Sequence, residues 1–172
     1  MNIVHDNIWN MYRDNQTWVV LPTCPGYVHR NGKQYNVMRH GMAKQAAQIH
    51  PWLPEAYGSF CVSRGNSLFI TSAEHRLILL PTRPMNEQHP HLTWKSPPVE
   101  EIIQARLKEV RALPEGWWGQ KNGPAPIAMT LVGCGAKTRE HLDPEDMRNF
   151  MERTFETDQF TLVLPWKDAL RK

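Results

Sequence analysis

A chain of 172 residues with 41% apolar and 22% charged side chains can bury a core without help from metal or disulfides. Its net charge of +3, carried by scattered rather than clustered Lys and Arg, argues against a nucleic-acid partner. Three cysteines without close spacing argue against a secreted disulfide framework; there is no leader-like start and no run near the roughly 20 apolar residues of a membrane helix, so the cytoplasm is the expected location.

In chain order, "TWVVLP" (Thr17 to Pro22) predicts a buried strand ended by proline. "HGMAKQAAQIH" (His40 to His50) predicts a helix stopped by Pro51. "NSLFIT" (Asn66 to Thr71) and "HRLILLP" (His75 to Pro81) predict two strands joined by a short turn at Ala73-Glu74. The Pro-rich "RPMNEQHPHLTWKSPP" then reads as a long polar loop. Val99, Ile102, Ile103, Leu107, Val110 and Leu113 recur at steps of three and four and predict an amphipathic helix, with Ser96 as its cap and Pro97 or Pro98 in its first turn. "PEGWWGQKNGPAP" reads as a loop, and "PIAMTLVGCG" as a strand entering a glycine turn. "DPEDMRNFMERTFE" predicts a helix capped by Asp143, with Pro144 first and acids in its opening turn, where they suit the helix dipole. "FTLVLP" (Phe160 to Pro165) predicts a closing strand.

Strands thus alternate with helices, and the strands are continuous apolar runs, which implies burial on both faces. The expected fold is a three-layer α/β/α sandwich with a central mixed sheet, one domain over residues 1–172. Ligands in such folds sit beyond the carboxyl ends of the strands, in glycine-bearing loops. Two loops qualify. "PTCPGYVHRNGKQYNVMRHG" leaves a buried strand and ends at a helix N-terminus, whose free N–H groups attract anions. "VGCGAKTREHLDP" leaves another, and Gly133 and Gly135 permit backbone conformations that point successive N–H groups at an anion. Together they suit the two sides of a diphosphate.

At these residues the sequence resembles the macro domain family, the ADP-ribose-binding module, and in particular its divergent bacterial and phage-type members. The pieces "NIWN", "WVVLPT", "NGKQYNVMRHGMAKQAAQIHPWLPEAYG", "RLILLPTRP" and "GCG" follow that family's order over nearly the whole chain. The resemblance implies a site residue by residue. Asn7 falls where the family commonly has an Asp that accepts from the adenine amino group; an uncharged amide oxygen would accept more weakly. Met38, Arg39, His40, Gly41 and Met42 match the first phosphate loop, and Gly133, Cys134, Gly135 and Ala136 the second, with Lys137 following. Trp166 stands near the usual apolar contact to adenine.

Three departures gather at the distal-ribose end. Cys24 replaces the asparagine that follows "PT" in family hydrolases, Arg39 replaces the glycine after "VM", and "AKTREHL" replaces a shorter glycine-rich stretch. Arg39 adds a charged contact to a phosphate or carboxylate, and His40 does so only when protonated, which suits a more anionic or different distal group than plain ADP-ribose. The plainer alternative is that Arg39 and His40 are solvated turn residues.

Other residues carry similar pairs of readings. Cys24 and Cys134 read as small residues of tight turns rather than nucleophiles, since no base is identifiable for either. Eight histidines invite a metal, but no zinc-type spacing occurs, and none is expected, nor any other cofactor. Trp9 and Trp18 read as core, whereas Trp52, Trp94, Trp117 and Trp118 lie in or beside loops, the last two as the pair most suited to a partner surface. Arg139, Glu140 and His141 either touch ligand or cover the mouth, with acid-base work open to Glu140 and His141. The first functional expectation is noncovalent binding of ADP-ribose or a related NAD-derived nucleotide. The alternatives are an ADP-ribosyl hydrolase or ADP-ribose-derivative phosphatase, and a protein-interaction scaffold that has lost its ligand.

Overall fold

In the computed structural model, which describes residues 1–113, 125–134 and 142–165, the chain begins with β1 (Asn2–His5), α1 (Ile8–Tyr12) and β2 (Trp18–Thr23). A short pair, β3 (Tyr27–Arg30) and β4 (Lys33–Asn36), precedes α2 (Gly41–Ile49) and α3 (Leu53–Arg64). Then come β5 (Phe69–Ile70), β6 (Leu77–Pro81), α4 (Glu100–Arg111), β7 (Ile127–Met129), α5 (Pro144–Thr154) and β8 (Phe160–Leu164).

Six strands form one sheet in the order β1-β8-β7-β2-β6-β5, parallel except for the antiparallel edge pair β5/β6. Alternate side chains of each inner strand enter two separate cores, as the period of two requires. Trp18 and Val20, Ile78 and Leu80, Ile127 and Met129, and Phe160 and Leu162 meet α4 and α5 through Ile103, Leu107, Val110, Met147 and Met151. Val19 and Leu21, Leu77 and Leu79, Ala128, and Val163 meet α1, α2 and α3 through Trp9, Ala46, Leu53 and Tyr57. This is the expected three-layer sandwich with a mixed sheet. Trp9 and Trp18 belong to these cores, whereas Trp52 and Trp94 are largely exposed.

Several local expectations change. The first glycine loop is not all loop: β3 and β4 pair as an antiparallel hairpin whose two-residue turn, Asn31-Gly32, has φ of 49° and 74°. Asn-Gly suits the type I′ turn, which needs positive φ at both positions. The polar stretch after β6 contains a 3-10 helix, Pro90–Lys95. Ser96 is not the cap of α4. It ends the 3-10 helix in extended backbone, and Val99 starts α4 without a side-chain cap. Both Ser96 and Pro97 precede a proline and are steered away from helical conformation, so Pro97 and Pro98 lie ahead of the helix rather than in its first turn. By contrast, Asp143 caps α5 as its sequence implies, its Oδ1 accepting from the N–H groups of Glu145 (2.9 Å) and Asp146 (3.0 Å).

Candidate functional site

The topology selects one place on this sheet. β2 and β7 are parallel neighbours, with Val20 opposite Met129, so their carboxyl ends share an edge. The chain leaving β2 returns through α2 on one face, and the chain leaving β7 returns through α5 on the other. Connections departing to opposite faces leave a crevice between them. The two segments approach each other there: the Thr130 hydroxyl, just past β7, donates to the Met42 sulfur in the first turn of α2 at 3.3 Å.

Of the residues expected in the first phosphate loop, Met38 points inward. Its side chain is buried in the core beneath α1–α3, and it anchors the loop rather than presenting a side chain to solvent. Arg39 and His40 are exposed, and their side chains make no hydrogen bond or ion pair with the described residues; the His40 carbonyl accepts from the Lys44 N–H at 3.2 Å. Gly41 opens α2 with φ of 56°, and a Cβ there would meet nothing within 4 Å. His40 makes no side-chain capping bond, and the first turn holds no acid. Among the described residues, the leading N–H groups of α2 therefore have no side-chain acceptor like the one Asp143 supplies to α5, and no acid of the helix's own first turn faces the positive end of its dipole.

Asn36, which the sequence reading passed over, fixes this loop. Its buried amide donates to the carbonyls of Cys24 and Gly26, both at 2.8 Å, tying the end of β4 to the segment that leaves β2. Gly58 of α3 lets β4 come close, since a Cβ there would lie 2.5 Å from the Gln34 oxygen and 2.7 Å from the Asn36 nitrogen. A polar residue ending an amphipathic pair, just before "VM", was the available signal. Beside this hairpin lies a groove of about 210 Å³ lined by Val28, Arg30, Tyr35, Met38, Arg39 and Pro54.

Cys24 sits past the end of β2, and burial raises its thiol pKa above the usual value, against smaller lowering effects of the Gly26 N–H and of Arg83. Arg83 is the second residue that sequence reasoning passed over. Thr82 donates its N–H (3.0 Å) and its hydroxyl (3.1 Å) to the Thr23 carbonyl, so Cys24 and Arg83 follow each other's strand ends side by side. A charged residue two places past a fully apolar strand was the signal.

In the second loop, Gly133 has φ of 79°, but a Cβ on it would lie 2.8 Å from Ile103 Cδ1 and 3.0 Å from Leu142 Cδ1. Glycine is needed there by the fold itself. The Leu142 N–H donates to the Gly133 carbonyl at 3.1 Å and closes the base of the loop. Cys134 is half-buried, and burial, then the nearby Asp143 carboxylate, pushes its thiol up to about 11. Gly135, Ala136, Lys137, Arg139, Glu140, His141, Trp117, Trp118 and Trp166 lie outside the described residues. Asn7 is exposed at the start of α1, where its Oδ1 accepts from the Trp9 N–H at 3.1 Å; an amide oxygen keeps a second lone pair.

A larger hollow, about 650 Å³ between α4 and α5, carries Glu100, Asp146, Glu152 and Glu156 with Arg153 as the one cation among its described lining residues. That charge repels a diphosphate, so size alone points to the wrong place. Among the described residues, no group of three or more His, Cys, Asp or Glu side chains is arranged for a metal, and no helix is long and apolar enough to cross a membrane.

No family model and no curated protein matches this sequence. Solved structures do match its fold. The macrodomain of Thermus aquaticus DarG superimposes with a TM-score of 0.63 at 18% identity, covering 96% of this chain and 97% of that one. The macrodomain of Mycobacterium tuberculosis DarG gives 0.63 at 19%, covering 95% and 98%. Thermosipho africanus DarTG, solved in complex with ADP-ribose, gives 0.60 at 16%, covering 88% of this chain and 38% of that longer one. The sheet order, the two cores and these superpositions agree: the chain has the macrodomain fold.

Proposed function

We propose that the protein, acting as one module over residues 1–172, binds ADP-ribose or a related NAD-derived nucleotide without covalent chemistry. The diphosphate lies over the start of α2, between the backbone of residues 38–42 and that of residues 133–136. The observation that carries this reading is the uncapped, acid-free N-terminus of α2, set against the end of β7 by the Met42–Thr130 contact at the β2/β7 crevice. The ligand named for the Thermosipho africanus structure supports the choice of nucleotide. Asn7 follows β1 at one side of the sheet and takes the adenine end with Trp166; Cys24 and Arg39 border the distal ribose, with His40 and Lys137 at the rim. Thiol catalysis is disfavoured, because burial holds both Cys24 and Cys134 in the protonated form.

Gly41→Asp tests the reading. Asp tolerates left-handed backbone better than most residues, and its Cβ enters open space, so the fold should survive. Its carboxylate, however, would occupy the anion position. By calorimetry the parent should bind ADP-ribose, and the variant should bind it about tenfold or more weakly, the loss of one charge-assisted contact. A parent protein that releases no heat with ADP-ribose overturns the proposal.

A further inference from the structure

The hairpin β3/β4 ends in a basic tip. Residues His29 to Lys33 are exposed throughout, and the ladder sets Arg30 directly opposite Lys33. Like charges directly opposite one another weaken a hairpin. Lys33 meets Glu55 at 2.7 Å, but the two side chains are 57% and 41% exposed, so that pair offsets little. Arg30 forms no ion pair among the described residues. The fold thus gathers two cations at one exposed turn and leaves their repulsion standing.

The hollow between α4 and α5 has the opposite sign. Its four carboxylates and Arg153 surround the half-buried Phe150. Glu100 and Asp146 lie in the first turns of α4 and α5, where acids suit the helix dipole. Glu152 and Glu156 have no such reason to be there. They stand in the last turn of α5 and just past its end, where the dipole disfavours negative charge. Arg148 offsets Glu152 at 2.7 Å, while Glu156 forms no ion pair among the described residues. Tip and hollow belong to opposite faces of the sandwich. Gly58 of α3 admits β4 in the layer with α1 and α2, whereas α4 and α5 cover the other side of the sheet. The tip of one copy is therefore out of reach of its own hollow.

We infer that the hollow between α4 and α5 receives the basic hairpin tip of a second copy of this chain. Arg30 and Lys33 of one copy meet Glu152 and Glu156 of the next, so each group whose charge a single chain leaves uncompensated gains an opposite charge. Because giver and receiver lie on opposite faces, the contact is heterologous. Every end copy keeps a free tip or a free hollow, and association continues past the dimer. A turn seated in a hollow of about 650 Å³ buries little area, so the association is weak and sensitive to salt. The inference is independent of the nucleotide site.

Sedimentation equilibrium from micromolar to millimolar concentration tests it. In about 20 mM salt the mass should rise from 20.0 kDa past that of a dimer, and in about 0.5 M salt it should return to 20.0 kDa. Arg30→Glu with Lys33→Glu reverses the tip. Glu152→Lys with Glu156→Lys reverses the hollow and puts cations where the α5 dipole favours them, so this variant should fold. Each double variant alone should stay monomeric. Mixing the two, once circular dichroism shows both folded, should restore association, since the tip of each then matches the hollow of the other. The inference is overturned if the parent stays monomeric in low salt, if its association stops at a dimer, if either variant associates as the parent does, or if the mixture stays monomeric. The parent's salt dependence decides the matter even if a variant folds poorly.

Discussion

The two ends of the central sheet treat the same kinds of polar group differently. At the amino end, Tyr12 donates its hydroxyl to the His75 carbonyl at 2.7 Å and takes a hydrogen from His50 Nε2 at 2.7 Å, while its ring covers Arg76. Trp52 and His75 pack beside them with ring centroids 4.6 Å apart and planes tilted by 43°. At the carboxyl end, among the described residues, α2 starts without a side-chain cap, Arg83 forms no ion pair with a carboxylate, and Gly41 keeps side-chain atoms away from the helix entrance. Polar groups that serve only the fold find partners within it. An unpaired arginine Nε occurs at both ends, so it is the uncapped start of α2 that sets the carboxyl end apart as the proposed anion position.

The comparison can be sharpened by perturbing each end in turn. The largest effect on stability is expected from Arg76→Gln, which removes two charge-assisted hydrogen bonds and the contact with the Tyr12 ring: about 3 kcal/mol, or a drop in thermal midpoint on the order of 10 °C. Nucleotide affinity of the folded fraction should be unchanged. A drop in affinity comparable to that of Gly41→Asp would break the division between the ends. Next comes Asp143→Ala, which uncaps α5 and should lower unfolding free energy in urea by about 1 kcal/mol. Its α2 counterpart has no such loss available, because His40 makes no capping bond: His40→Ala should leave the urea midpoint in place.

The smallest effect is a pH dependence at the amino end. Burial, then the charges of His75 and Arg76, depress the pKa of His50 below 6.5. A histidine that is harder to protonate folded than unfolded leaves the unfolded chain with more protons as pH falls through 6.5, so stability decreases on acidification and is restored above that pH. Thermal midpoints followed from about pH 7.5 down to about pH 5.5 should fall less steeply in His50→Gln than in the parent. Equal slopes would remove His50 from the account.

Much of the fold was legible in the sequence because a buried parallel strand needs an unbroken apolar run and a covering helix needs a stripe. β2, β6, β8, α4 and α5 obey both rules, and Asp143 announces its own cap. Elements shaped by close approach were less visible. α3 carries Pro54 and Gly58 and has no clean apolar stripe, since its glycine exists to admit the backbone of β4. β1 is an edge strand with mostly exposed side chains, so no apolar run marks it. The hairpin had a readable sign in Asn31-Gly32, obscured by the expectation of a single long phosphate loop. At the site, the glycine positions could be read from their order along the chain. The burial of Met38 could not, nor could that of Arg83, because burial depends on which elements pack around a residue.

The hairpin β3/β4 belongs to no strand ladder of the main sheet, yet one carboxamide, that of Asn36, grips both carbonyls of the segment leaving β2. The aperture between that segment and the entrance of α2 is therefore gauged by a side chain rather than by sheet pairing. Its width is a local setting, adjustable at one residue while every strand of the scaffold keeps its register.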